Sequence, residues 1–168
     1  MSRSSVVTVR EAPLTDVAAT GEARVVAKTL TFNTGERFQV FDLTDRVMTV
    51  VRESGVVEGT VSLVSLHTTN ALFINESQPA LLADIEGLLE QIVARESAWR
   101  HNDPEYSDCD RFNADSHLRA LLLGHTVTLQ VSAGELVLGQ WQRVLMAELD
   151  GPRVRSVRLM IMGLANVG

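Results

Sequence analysis

The amino-acid sequence predicts an α+β fold with a largely antiparallel sheet and helices packed on it. Strand-like segments dominate both ends of the chain, helical periodicity is confined to the middle, and closely spaced turns separate the last strands. The length of 168 residues corresponds to one domain that can bury a sizeable core. Hydrophobic residues make up 45% and charged residues 21%, which argues against a disordered, fibrous or membrane protein.

Residues 1–24 are predicted to form an N-terminal extension to a single domain spanning residues 25–168. Much of this extension is small and polar and shows no hydrophobic period, so it is either a loose arm or an edge strand that pairs with a neighbour. The start of the chain lacks the apolar segment of a signal peptide. No stretch approaches the roughly 20 apolar residues of a membrane span.

Strands and one short helix are predicted in the first half of the chain. Thr44 or Asp45 is a good N-cap for the helix, and Gly55 is a good residue to end it. Alternating patterns and β-branched residues predict the strands, which lie at 25–32, 38–43, 60–66 and 71–74.

Two further helices are predicted in the middle of the chain. The clearer one begins near Ser77, a good N-cap residue, with Pro79 in its first turn. The other runs from Asn113 as N-cap to Leu123 and ends at Gly124. The apolar stripe of the clearer helix consists of Leu81, Leu82, Ile85, Leu88, Leu89, Ile92 and Val93.

Four strands are predicted to complete the chain, at 125–131, 135–138, 142–149 and 154–162, joined in part by hairpin-like turns at 133–134 and 150–153. Both faces of the third strand are mostly apolar, so this strand is predicted to be covered on both sides. Glu148 lies on it, and a buried carboxylate needs a partner. That partner is either an arginine such as Arg153 or a metal or histidine.

The net charge and the cysteine content of the chain argue against several classes of protein. The net charge of −6 argues against a nucleic-acid-binding protein, which needs a basic face, but it leaves room for a small anionic ligand held by local arginines. The single cysteine, Cys109, excludes an internal disulfide framework and a multi-cysteine zinc site. A reducing compartment, and therefore the cytoplasm, is the expected location.

Histidines are the clearest candidates for chemistry. His67 ends a strand, His101 lies in a polar loop, His117 lies in the first turn of a helix and His125 begins a strand. Each is either an ordinary hydrogen-bonded histidine or part of a convergent site, as in open catalytic metal centres. Residues 101–117 hold five carboxylates, two histidines and the thiol, which is typical of a functional loop or of a solvated acidic one.

Five segments, in order along the chain, resemble the YjbQ family: HTTNALFINE at 67–76, HN at 101–102, NADSHLRALLLG at 113–124, LGQWQ at 138–142 and ELDGPR at 148–153. The resemblance covers about residues 28–163. It implies an α+β fold with a mostly antiparallel β-sandwich core and two or three packed helices, a homotrimer, and a polar, histidine-bearing pocket between subunits. It also implies weak thiamine-phosphate synthase activity, a transferase reaction that joins an aminopyrimidine diphosphate to a thiazole phosphate and releases diphosphate.

The residues and the resemblance together define a candidate site for a small phosphorylated ligand. The catalytic candidates are His67, His101, His117, Glu76 and Glu148. The three histidines are also candidate ligands of a divalent metal, zinc or magnesium. The candidates for binding substrate or its anionic groups are Asn75, Asn113, Arg119, Trp141, Gln142 and Arg153. The alternative hypothesis is a non-catalytic trimer that binds a small anion or a metal.

Departures from the family pattern and strand geometry both bear on this site. The family usually has Thr at the position of Gln140 and Gly at that of Arg143, and the loop after His101 is longer here and lacks the usual Glu-Gly pair.

On one straight strand, His67 and Asn75 would lie roughly 26 Å apart. Either the segment bends near residues 69–70, or a neighbouring subunit supplies half of the site.

Overall fold

The computed structural model describes residues 16–166 of the chain. Most of the predicted extension, residues 1–15, therefore lies outside the described residues. Residues 16–21 have no regular secondary structure, and the first strand already begins at Glu22. The last residues of the predicted extension thus belong to the folded domain.

Eight strands in the described residues form two sheets in which every pair is antiparallel. The strands are β1 (Glu22–Asn33), β2 (Gln39–Asp42), β3 (Val56–Ser65), β4 (Asn70–Asn75), β5 (Thr126–Ser132), β6 (Glu135–Leu136), β7 (Arg143–Glu148) and β8 (Val154–Ala165). The larger sheet has the order β1-β8-β3-β5-β6 and the smaller one β2-β7-β4. The helices are α1 (Thr44–Ser54), α2 (Pro79–Ile92) and α3 (Ala114–Leu123), with a short 3₁₀ turn at Arg100–Asn102. The predicted α+β fold is confirmed.

The main core lies between the two sheets. It is formed by inward-facing side chains of both, such as Leu159 and Ile161 of β8 and Leu72 and Met146 of the smaller sheet. A second cluster joins the other face of the smaller sheet to α2 and α3. β7 is therefore covered on both sides, as predicted, and residues 144–148 are 0% exposed.

The helix ends differ in detail from the predictions. Gln78, rather than Ser77, caps α2, because its side-chain oxygen accepts the N–H of Leu81 at 2.7 Å. Gly55 follows α1 with a φ of 72°, a left-handed conformation that glycine adopts without strain. The apolar stripe of α2 is only partly covered, since Leu88 and Ile92 are more than half exposed. No helix in residues 16–166 is long and apolar enough to cross a membrane.

The two predicted hairpin turns have different roles. The turn at 133–134 joins the paired strands β5 and β6, and its residues have φ of 51° and 74°. The turn at 150–153 is not a hairpin, because β7 and β8 belong to different sheets. It carries the chain from one layer to the other. A Cβ on Gly151 would lie 2.1 Å from the carbonyl oxygen of Glu36, so glycine is needed where this turn packs against residues 34–37.

Candidate functional site

Glu148 is buried between the two sheets and pairs with Arg155 of β8. Its Oε1 and Oε2 accept hydrogen bonds from Nη2 and Nε of Arg155 at 2.5 and 2.6 Å. The Thr34 hydroxyl and the backbone N–H of Asp150 donate to the same carboxylate at 3.0 and 2.8 Å. An arginine partner was one of the two predicted alternatives, but Arg153, the example chosen, contacts Asp150 instead. Four donors around a fully buried carboxylate fit a structural role better than proton transfer.

His67 lies at the same end of the sandwich, with one nitrogen already engaged. Its Nε2 accepts the backbone N–H of Ser156 at 2.8 Å, which places the ring proton on Nδ1. Burial, followed by the positive charge of Arg155, lowers the pKa of His67, and the carboxylate of Glu148 opposes this shift. The folded protein therefore favours the neutral imidazole.

His67 should make the protein less stable as the pH falls below about 6.5. The unfolded chain takes up a proton on this histidine near its ordinary pKa, whereas the folded state, with its lowered pKa, resists protonation. Stability is thus complete above that pH and declines until the pH reaches the lowered value. Urea unfolding at pH 5, 6 and 7 should show a weaker pH dependence in His67→Gln than in the wild type. If the free energy of unfolding changes with pH equally in His67→Gln and the wild type, His67 is not the source of the pH dependence.

Asp150 is the centre of a second polar group, which also contains Arg37, Asn113, Asp115 and Arg153 and is called here the Asp150 cluster. Asp150 accepts hydrogen bonds from Asn113 Nδ2 at 2.8 Å, from Arg37 Nη1 at 3.4 Å and from Arg153 Nη2. Arg37 also donates to Asp115 at 3.1 Å. The cluster brings together two predicted site residues, Asn113 and Arg153, and three that sequence reasoning missed, Arg37, Asp115 and Asp150 itself.

Two histidines lie beside this cluster. The rings of His101 and His117 are edge to face, with centroids 5.0 Å apart and an interplanar angle of 84°. A hydrogen bond of 2.9 Å from the Ala114 N–H to Asn102 Oδ1 joins the 3₁₀ turn of His101 to the start of α3. Burial and then His101 lower the pKa of His117, while the carboxylates of Asp150 and Asp115 act in the opposite direction.

A three-histidine metal site is not formed within the described part of one chain. No group of three His, Cys, Asp or Glu side chains in residues 16–166 is arranged to hold a metal ion. His101 and His117 lie together, but Nε2 of His67 is engaged by Ser156. Cys109 lies near the cluster, with its Sγ 3.7 Å from Asn113 Oδ1.

Arg119 joins the helices rather than the Asp150 cluster. Its Nε and Nη2 donate to the carbonyl oxygen of Val93 at 3.1 and 2.8 Å, and Nη2 also pairs with Glu90. The guanidinium thus fixes α3 to the C-terminal end of α2. These contacts indicate a structural role for a residue that was predicted to bind the anionic leaving group.

The other predicted binding residues lie at the opposite end of the smaller sheet. Asn70 pairs with Glu148 at one end of β4, whereas Asn75 pairs with Arg143 at the other, a distance of roughly 17 Å along the strand. The chain does bend at residues 66–69, as one predicted alternative required, but β4 then runs away from His67. This far end holds three predicted binding residues and the predicted catalytic residue Glu76; the three are Asn75, Gln142 and Trp141, which is 62% exposed.

Comparison with known proteins supports a single family. The sequence profile of the family described as "UPF0047 protein YjbQ-like" matches residues 28–164. A UPF0047 protein of Methanothermobacter thermautotrophicus is 41% identical over 139 residues, which cover 83% of this chain and 93% of the relative. The UPF0047 protein YugU of Bacillus subtilis is 28% identical over 137 residues, 81% of this chain and 98% of the relative.

Solved structures give the same result. A YbjQ-like protein of unknown function from Sulfolobus solfataricus superimposes with a TM-score of 0.78 at 31% identity, covering 84% of this chain and 99% of the other. A hypothetical protein from Aeropyrum pernix gives a TM-score of 0.75 at 34% identity, covering 82% of this chain and 98% of the other. The chain belongs to the UPF0047 family of YjbQ-like proteins.

Proposed function

We propose that the chain binds a small phosphorylated ligand at the Asp150 cluster and carries out low-level thiamine-phosphate synthase chemistry there. The observation that carries this proposal is the edge-to-face pair of His101 and His117, 5.0 Å apart, beside a cluster with two arginines. Imidazoles donate or accept protons near neutral pH, and guanidinium groups match phosphate oxygens. This combination suits departure of a diphosphate.

The reaction joins an aminopyrimidine methyl diphosphate to a thiazole phosphate. The thiazole nitrogen forms a bond to the methylene carbon, while the bond from that carbon to the diphosphate oxygen breaks and its electron pair leaves with diphosphate. The guanidinium of Arg153 would offset the charge that develops on the leaving group. An imidazole of the histidine pair would donate a hydrogen bond or proton to it.

A divalent metal, zinc or magnesium, would find only part of a binding site among the described residues. His101 and His117 supply two donors, and the described residues of one chain do not complete a set of three. A metal at this position would need a further ligand from outside them. We therefore assign no chemistry to it.

We also propose a homotrimer, in which the far end of the smaller sheet of one copy approaches the Asp150 cluster of the next. Within one chain, the exposed Trp141 and its neighbour Gln142 lie too far from that cluster to contact a ligand bound there. In a closed ring, different ends of neighbouring copies meet, so these residues could contact the ligand of the next copy. Size-exclusion chromatography with light scattering should give a mass close to three times 18.4 kDa. The lone cysteine favours a cytoplasmic location.

A non-catalytic binding protein is the second candidate. It is favoured by the contacts of Glu148 and His67, both predicted to be catalytic, whose acceptor atoms are engaged by Arg155 and Ser156. The site then holds fewer free acid–base groups than the sequence predicts. On this hypothesis the Asp150 cluster retains an anion without converting it.

A product assay combined with thermal unfolding separates the two candidates. The wild type should release diphosphate from the aminopyrimidine diphosphate only when the thiazole phosphate is present. The control variant Arg52→Gln should do the same, because it alters an ion pair with Glu135 that lies outside the cluster. Saturating ligand should raise Tm by roughly 5–10 °C, since a 100-fold excess over Kd adds about 2.7 kcal/mol. Stabilisation without turnover would favour the binding protein. If the ligand neither stabilises the protein nor is turned over, both candidate functions are contradicted.

A further inference from the structure

We propose that Arg37 directly binds the terminal anionic group of the phosphorylated ligand, an inference that rests on the proposed function. Arg37 lies in the connection between β1 and β2, outside the five segments that carry the family resemblance. The two nearest of those segments begin at His67 and His101, far from Arg37 in sequence. No motif therefore assigns a role to this residue.

The backbone around Arg37 is held firmly against the turn at 150–153. The N–H of Thr34 donates to the carbonyl oxygen of Arg153 at 2.9 Å, and the N–H of Gly151 donates to that of Arg37 at 3.1 Å. Glycine at position 151 permits this close approach, because a Cβ there would lie 2.1 Å from the carbonyl oxygen of Glu36. The Arg37 side chain therefore starts from a fixed position beside Asp150.

The Arg37 guanidinium bridges two buried carboxylates. Its Nη1 donates to Asp150 at 3.4 Å, and its Nη2 lies 3.1 and 3.4 Å from the two oxygens of Asp115. A guanidinium has five N–H groups, so these three contacts leave at least two of them for a ligand. Because both carboxylates hold the side chain in place, little further conformational entropy is lost when an anion binds.

Exposure distinguishes the cations of the cluster from its anions. The Arg37 and Arg153 side chains are 30% and 22% exposed, whereas those of Asp115 and Asp150 are 1% and 6% exposed. An approaching ligand thus meets guanidinium groups first, with the carboxylates behind them. The carboxylates also offset the repulsion between two neighbouring guanidiniums. Such a pair suits a phosphate or diphosphate group, which can accept hydrogen bonds from both.

The test must separate ligand binding from the support that Arg37 gives to Asp115. Arg37→Gln alone would leave Asp115 buried without its guanidinium partner and could unfold the protein. We therefore compare Asp115→Asn with the double variant Arg37→Gln/Asp115→Asn, which differ only at position 37. Calorimetric titration with inorganic diphosphate at low ionic strength measures the affinity, and urea unfolding checks that both proteins are folded with similar midpoints.

The double variant should bind diphosphate about 10- to 100-fold more weakly than Asp115→Asn, as expected for loss of a charge-assisted hydrogen bond. Arg52→Gln should bind like the wild type. Equal affinity of the double variant and Asp115→Asn, with diphosphate bound by the wild type, would overturn the role of Arg37 and leave the proposed function standing. If the wild type itself does not bind diphosphate, the proposed function and this inference both fail.

Discussion

Replacing Glu148 by glutamine is expected to lower the free energy of unfolding by about 3–5 kcal/mol. The substitution keeps the size of the side chain but removes its charge, and Arg155, only 3% exposed, is then a buried cation without its anionic partner. Tm should fall by on the order of 10 °C for a domain of this length. Urea unfolding at pH 7 measures the loss directly.

Two controls show whether the loss comes from burial of the ion pair. Glu53→Gln removes one partner of an exposed ion pair with Lys28 and should change the free energy of unfolding by less than about 1 kcal/mol. The double variant Glu148→Leu/Arg155→Met removes both buried charges and should be more stable than Glu148→Gln. If Glu148→Gln unfolds at the wild-type midpoint and loses turnover, Glu148 acts in the chemistry rather than in the fold.

The need for a partner of Glu148 could be predicted from sequence, because apolar residues on both faces of its strand indicated a position between two layers. The sequence does not identify Arg155 as that partner, because the segment at 150–153 has the composition of a hairpin turn, whereas it joins strands of two different sheets. The useful signal lies in β8, where Arg155 alternates in step with the buried residues Val157, Leu159 and Ile161. That period places Arg155 on the inner face of the larger sheet.

The candidate site could be predicted only in part, for topological reasons. The segments that contain His101, His117 and Asn113 are close in sequence, and they do lie together. Arg37 is 113 residues from Asp150 along the chain, and no local pattern marks their contact. The far end of the smaller sheet lies away from the histidines within one chain, and the order of the motifs does not reveal this separation, since it does not show that β4 and β7 run antiparallel and place Asn75 beside Arg143.

His101→Asn and His117→Asn are each expected to reduce turnover of the two phosphorylated substrates by about 10²- to 10⁴-fold, the usual contribution of general acid–base catalysis. Both rings lie at the edge of the Asp150 cluster, where the leaving diphosphate would be held by Arg37 and Arg153. Initial rates of diphosphate release measure the loss. Arg52→Gln, whose exposed ion pair lies outside the cluster, should retain the wild-type rate.

The double variant His101→Asn/His117→Asn should be no slower than the slower single variant. The two rings are in edge-to-face contact, with centroids 5.0 Å apart, so replacing one ring changes the surroundings of the other and the two are expected to act as a unit. Residues that act together in this way give strongly non-additive losses. If the two single losses multiply in the double variant, the histidines work independently. If both single variants keep the wild-type rate with unchanged unfolding midpoints, the pair has no catalytic role.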